Sequence, residues 1–207
     1  MTGKQFLQKF KYFADAPNGI QKLRELILQL AVQGKLLPQV PDDEPVSKLL
    51  EKMEAERKLL IERKEIKNSH AIQDQPEKKR PDTLPNSWVR LRVTEAFYPI
   101  SVSKNKVKSS QIQGSGKIPV VDQGQSFVAG YVDNLELEIQ IPGPVVIFGD
   151  HTTALKYIDF NFVAGADGVK ILRPLNGNEE YFYLVAKTLP IDNRGYARHY
   201  SRLIDNY

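Results

Sequence analysis

Residues 144–172, PVVIFGDHTTALKYIDFNFVAGADGVKIL, constrain the fold more than any other stretch. Val145–Phe148 and Val169–Leu172 are short, uninterrupted β-branched and aromatic runs, the pattern of buried strands. A Gly-Asp-His-Thr turn at 149–152 and a small-residue loop separate them. The same texture fills the whole second half of the chain. Trp88–Val93, Ile118–Val121, Phe127–Val132 and Phe160–Val163 also read as strands, with turns such as 113–116 and 176–178 between them. Glu180–Leu189 is the one good helix candidate there.

The first half is written in helical periods. Phe6, Leu7, Phe10, Tyr12 and Phe13 suggest a short amphipathic helix within 1–16, which Pro17-Asn18-Gly19 breaks. Asn18 is placed to cap the next helix, with Gln21 reaching back to it. Ile20, Leu23, Ile27, Leu30 and Ala31 then share one helical face, and Gly34 stops it. After the proline- and acid-rich connector 38–45, the pattern predicts a long helix from Val46 to about Asn68. Val46, Met53 and Leu60 recur every seven residues, with Leu49 between the first two, but the next places in the seam hold Glu56 and Arg63. So narrow a stripe needs a partner, in this chain or another. The polar, proline-punctuated stretch 68–84 reads as a linker. The expected class is therefore α+β. An N-terminal helical region with one long coiled-coil-like helix and a linker (1–80) precedes a β-rich domain with at least one helix (81–207).

With 207 residues and a formal net charge of +4, the chain is long enough for a real core and only mildly basic. It contains no cysteine, which removes disulfides and thiolate chemistry and fits a reducing compartment. It has neither an 18-residue apolar run nor a signal-peptide pattern, so the expected location is cytoplasmic, with no membrane partner. Charge distribution says more than the total. Lys104, Lys106, Lys108 and Lys117 lie in a stretch without acids, and Arg194, Arg198, His199 and Arg202 cluster near the C-terminus. Together they read as one concave basic face that grips phosphates. The bland alternative is a solvated surface.

No catalytic constellation stands out. Asp150 and His151 are sequence neighbours, which on a strand face opposite ways, and no other histidine lies at ligand spacing. Asp150 is expected to cap its own turn, leaving His151 exposed at the tip. A nuclease reading would centre on Asp133 with Glu136–Gln140, but the lysine that such sites use is missing. Phosphate-binding loops are absent too, and no metal ligand set or catalytic residue is assigned. Binding is better supported. Gln111, Gln113, Gln123 and Gln125 carry the side-chain amides that recognise adenine edges. Arg194, Tyr196, Arg198, His199, Tyr200 and Arg202 alternate cationic and planar groups around Gly195. The tyrosines could equally anchor the C-terminus to the core.

In this order, LPNSW (84–88), IPVVDQGQ (118–125), VIFGDHT (146–152) with FVAGADGVKIL (162–172), and RGYARHYSRL (194–203) resemble a target recognition domain. The domain is that of the specificity subunit of type I restriction-modification enzymes. LRELILQLAVQGKLLPQ (23–39), followed by DDEPVSKLL (42–50), resembles the leader before the first such domain. The resemblance implies a non-catalytic subunit that reads half of a split site in double-stranded DNA. It implies two long antiparallel helices acting as a ruler, methyltransferase subunits that flip adenine out of the duplex, and a separate motor-nuclease subunit. Adenosylmethionine, ATP and Mg²⁺ would belong to those partners, so no cofactor is expected here. The sequence has one recognition domain and no helix after it. That suggests a half-subunit that dimerises through Val46–Ile66. The alternative is a truncated subunit that sequesters its partners without productive DNA recognition. The GDHT segment is shared by family members of different specificity, so it is expected to be scaffold, with 104–117 and 123–127 reading the sequence.

Overall fold

The computed structural model describes residues 8–10, 12, 14–40, 42–67, 85, 87–102, 104–165, 167–191, 195 and 197–204. They fall into two compact units. One holds helix α1 (Gly19–Val32), the chain after it to Asp43, and the segment ending at Trp88. The other holds helix α2 (Val46–Glu62) and everything from Val89 onward. The linker expected at 68–84, with the domain boundary at 80/81, lies outside the described residues, as do Phe6, Leu7 and Phe13 of the expected leading helix.

In the first unit, α1 ends as its glycine demands. Gly34 takes φ +67°, its N–H bonds the Ala31 carbonyl and the Lys35 N–H bonds that of Leu30. A side chain at Gly34 would collide with the Pro85 ring, and Trp88 Nε1 donates to Gln39 Oε1 at 2.9 Å, so this turn receives the 85–88 segment. The N-terminus differs from expectation. Asn18 itself adopts φ 57° and its side chain makes no cap bond, while Gln21 bonds forward to Glu25. Once Asn18 occupies the left-handed region, its amide no longer points at the first turn.

The second unit is a three-layer α+β structure. Its strands are β1 (Phe97–Ile100), β2 (Lys106–Val107), β3 (Ile118–Val121), β4 (Gly130–Val132), β5 (Val145–Gly149), β6 (Leu155–Ile158), β7 (Val163–Gly165) and β8 (Val169–Pro174). Its helices, besides α2, are α3 (Val93–Ala96), α4 (Glu179–Ala186) and α5 (Tyr200–Ile204). An antiparallel sheet runs in the order β1-β8-β5-β6. A mixed sheet runs β2-β7-β3-β4, with β7 parallel to β2 and β3.

The antiparallel sheet is the central layer, which explains its uninterrupted apolar strands. Val145, Ile147, Val169 and Ile171 pack toward the mixed sheet with Val121 and Ala164. Val146, Phe148 and Leu172, on the other face, meet Met53 and Leu60 of α2, Phe182 of α4 and Leu203 of α5. Phe148, Met53, Val145 and Ile147 are fully buried. Each such side chain contributes about 1.5–3 kcal/mol. Beneath the mixed sheet, Ile118, Val120, Val132 and Val163 form a third cluster.

Met53 and Leu60 of the seven-residue seam of α2 pack into this chain's own core, and α2 spans 17 residues, so a long coiled-coil helix is not shown. The helix also stops about six residues before the expected end. Lys64 takes φ 59°, its N–H bonds Ile61 O, and the Glu65 N–H returns to Leu60 O. This closing turn is usually made by glycine. Trp88–Val93 is not a strand: Trp88–Arg92 is irregular, Val93 opens α3, and β1 follows. Among the described residues, no helix is long and apolar enough to cross a membrane.

Candidate nucleic-acid interface

The GDHT turn is a fastening point. Asp150 is buried, and its Oδ1 accepts the N–H groups of His199 (2.9 Å) and Tyr200 (2.8 Å). The carboxylate thus caps the start of α5, 49 residues away, rather than its own turn. The Asp150 carbonyl also accepts the His199 N–H, and His199 Nδ1 lies 3.0 Å from that oxygen, which fixes Nδ1 as the protonated nitrogen. His199 has no exposed surface, so it faces the core and serves this anchor rather than a surface ligand. His151 is half-buried, not an exposed tip, with its Nδ1 3.2 Å from Ala197 O.

The same turn straps the 122–125 loop. His151 N donates to Gln123 Oε1 at 3.1 Å, and Thr152 Oγ1 donates to the Gln123 carbonyl. At Gly149 a Cβ would strike Thr152 Oγ1 and lie 2.6 Å from that carbonyl, so only glycine allows the approach. From β6, buried Lys156 donates to the Asp122 carbonyl at 2.8 Å and lies 3.4 Å from Asp122 Oδ1, which accepts Gly124 N–H at 2.9 Å. Gln123 is consequently half-buried and held, while Gln125 and Phe127 are exposed beyond it. Phe127 meets Phe160 edge-on at 5.8 Å.

Burial pulls Lys156 below the ordinary lysine range, against the opposing pull of Asp122. Burial, with Asp150 second, pushes the Tyr200 phenol above its usual 10. The signs follow from linkage. Approaching pH 10.5 from below, native Lys156 releases its proton before the unfolded chain does, so this group's contribution to stability rises with pH. Tyr200 retains its proton longer than the unfolded chain, so its contribution falls once pH passes 10. Melting of the wild type and Lys156→Met between neutral pH and 10.5 checks the first sign. The difference between them shifts in favour of the wild type as pH rises; a constant difference refutes it.

Among the other expected site residues, Lys104, Lys106, Lys108, Gln111, Gln113 and Lys117 are all exposed on and around β2 and the entry to β3. Gln111 Oε1 caps its own 3₁₀ turn by accepting Lys108 N–H. Asp133 Oδ1 accepts Lys117 N–H at 3.0 Å, so this acid closes a turn. Arg198 is exposed. Arg194, Tyr196 and the side chain of Arg202 lie outside the described residues.

The two segments share one recess, although no described cation of the second segment lines it. A cavity of about 560 Å³ is lined by Lys106 from the first and Tyr200 from the second, over a floor that includes Phe97, Ile100 and Ile171. Tyr200 is fixed there by Asp150, and the Lys170 ammonium sits 5.0 Å from its ring centre. Three side chains that the sequence pattern does not single out, Lys67, Lys156 and Lys170, thus join the site or its support. Lys67 and Lys170 sit in adjacent elements whose packing no sequence spacing reveals. Lys156 alternates with Leu155 and Tyr157 as an exposed strand residue would.

No family model matches the chain, and no solved structure does either. Curated proteins do, all of them type I restriction-enzyme specificity subunits of Escherichia coli. The EcoAI subunit is 42% identical over 97 residues, which is 45% of this chain and 16% of that protein. For the EcoEI subunit the values are 46% over 77 residues, 37% and 13%. The EcoR124I/EcoR124II subunit is 32% identical over 131 residues, 61% of this chain and 31% of that protein. Over part of its length this chain is similar to type I specificity subunits. The resemblance carried by its ordered motifs is thereby borne out. The matched part spans less than a third of each of these relatives.

Proposed function

We propose that the β-rich unit reads one half of a split target in double-stranded DNA, as the recognition module of a type I specificity subunit in the cytoplasm. It performs no chemistry itself and positions methyltransferase and motor-nuclease subunits. The observation that carries this reading is the shared cavity: Lys106 and Tyr200, from basic segments about 94 residues apart in sequence, line one recess. In this reading Lys106 at the recess and exposed Lys104, Lys108 and Lys117 supply phosphate contacts, while exposed Gln111, Gln113 and Gln125 supply amides for base edges. Asp133 and Asp150, the acids on which a hydrolytic reading would depend, accept backbone N–H groups in turns.

The test is binding of a mixed-sequence duplex across a salt series. Changing Lys104, Lys106 and Lys108 together to glutamate lowers affinity. It also reduces the salt slope by about 0.9 for each phosphate that the variant no longer neutralises. Unchanged affinity and slope would overturn the reading.

A further inference from the structure

We propose that the DNA footprint extends beyond the β-strand lysines to the end of helix α2, with Lys67 and Lys170 contacting phosphates beside Lys106. The proposal rests on the DNA-reading function above and assigns the helical segment a part in binding besides spacing.

The cavity carries three lysines, 67, 106 and 170, against a single acid, Glu65. They come from three places in the fold: the chain leaving α2, strand β2 and strand β8. Arg57 also lines the recess, but Glu54 and Glu95 stabilise its charge and its guanidinium is committed to backbone carbonyls, so it adds no free cation. The floor is apolar. Low-dielectric walls around a rim with an excess of positive charge concentrate the field, so an anion at the mouth is attracted more strongly than at an open surface.

Two details direct these lysines to the mouth. The left-handed residue Lys64 ends α2 and turns the chain, and Ile66 packs into the core beside it, leaving Lys67 exposed at the rim. Lys170 projects from the helix-facing side of β8, where Leu172 is also found, and is steadied over the Tyr200 ring. Continuity with Lys106 favours a phosphate backbone over an acidic protein segment as the occupant.

The experiment measures binding of the full chain to a mixed-sequence duplex over a salt series, for Lys67→Glu and, separately, Lys170→Gln. Lys67 is exposed and outside regular structure, so its variant folds irrespective of the outcome at Lys170. Each change is expected to reduce the salt slope by about 0.9, with an affinity loss of about eightfold near 0.1 M salt, equal on every sequence tried. Suppose both slopes match the wild type while the Lys104/Lys106/Lys108 variant lowers its slope. The footprint then ends at Lys106 and this proposal fails alone. If that triple variant is also unchanged, the DNA-reading function fails with it. Unchanged DNA slopes combined with loss of binding to a methyltransferase subunit would assign the recess to protein and likewise overturn the proposal.

Discussion

Asp150→Ala is expected to destabilise the β-rich unit by about 3 kcal/mol, roughly 9 °C in melting temperature. The carboxylate is 5% exposed and accepts two backbone N–H groups at 2.8–2.9 Å. Alanine leaves both donors without that oxygen, and hydrogen bonds to an ionised acceptor are worth about 1.5 kcal/mol or more each. The loss propagates because α5 carries Leu203, 1% exposed in the helix-side core, and Tyr200, a wall of the basic recess. Asp150→Asn retains an acceptor oxygen and is expected to lose less than half as much. Calorimetry of the two variants decides. An alanine variant melting within about 1 °C of wild type would show that the GDHT turn does not hold the C-terminal helix.

That result would also explain why this turn contains an acid and a histidine next to each other. Side by side they resemble a catalytic pair. The structure spends the acid on backbone donors 49 and 50 residues downstream, and the histidine backbone N–H on Gln123 Oε1. Both partners are remote in sequence, so no local pattern announces them.

The central layer was legible because physics writes it plainly. A strand covered on both faces has no polar side, and Val145–Phe148 and Val169–Leu172 lie within β5 and β8. Shorter elements were hidden by the residues inside them. In β1, Phe97–Ile100 contains Pro99, which an edge strand tolerates and a sequence pattern counts against. In β6, Leu155–Ile158 contains Lys156, buried only because Asp122 receives it. In the mixed sheet β3 matches the expected Ile118–Val121 and β4 falls within the expected Phe127–Val132, but β2 and β7 have two or three residues, too short to display a period. The end of α2 escaped for a different reason: a lysine holds the conformation normally marked by glycine. Of the expected site residues, the exposed lysines and Gln125 stand where surface residues belong, whereas His199 looked cationic in sequence and is a core anchor.

Arg57→Ala is expected to loosen α2 from the β-rich unit at a cost of about 3 kcal/mol. The sequence places this arginine in a charged helix, one residue past the decaying seam. In the fold it is 5% exposed, and its Nη2 donates to the carbonyls of Thr94 (2.9 Å) and Glu95 (3.2 Å) in α3. Burial lowers its proton affinity, with Glu54 and Glu95 acting against that shift. Truncation removes both bonds and the packed stem. Arg57→Met keeps the stem and relieves the desolvated charge while losing the bonds, so its cost should be smaller, about 1–2 kcal/mol. The ordering separates anchoring by hydrogen bonds from filling by methylenes. Amide exchange locates the effect: the alanine variant loses protection along Val46–Glu62 and Val93–Ala96 before Val145–Gly149 and Val169–Pro174. If α2 exchanged as slowly in Arg57→Ala as in the wild type, Met53 and Leu60 alone would hold the helix, and the arginine would be a passenger in its interface.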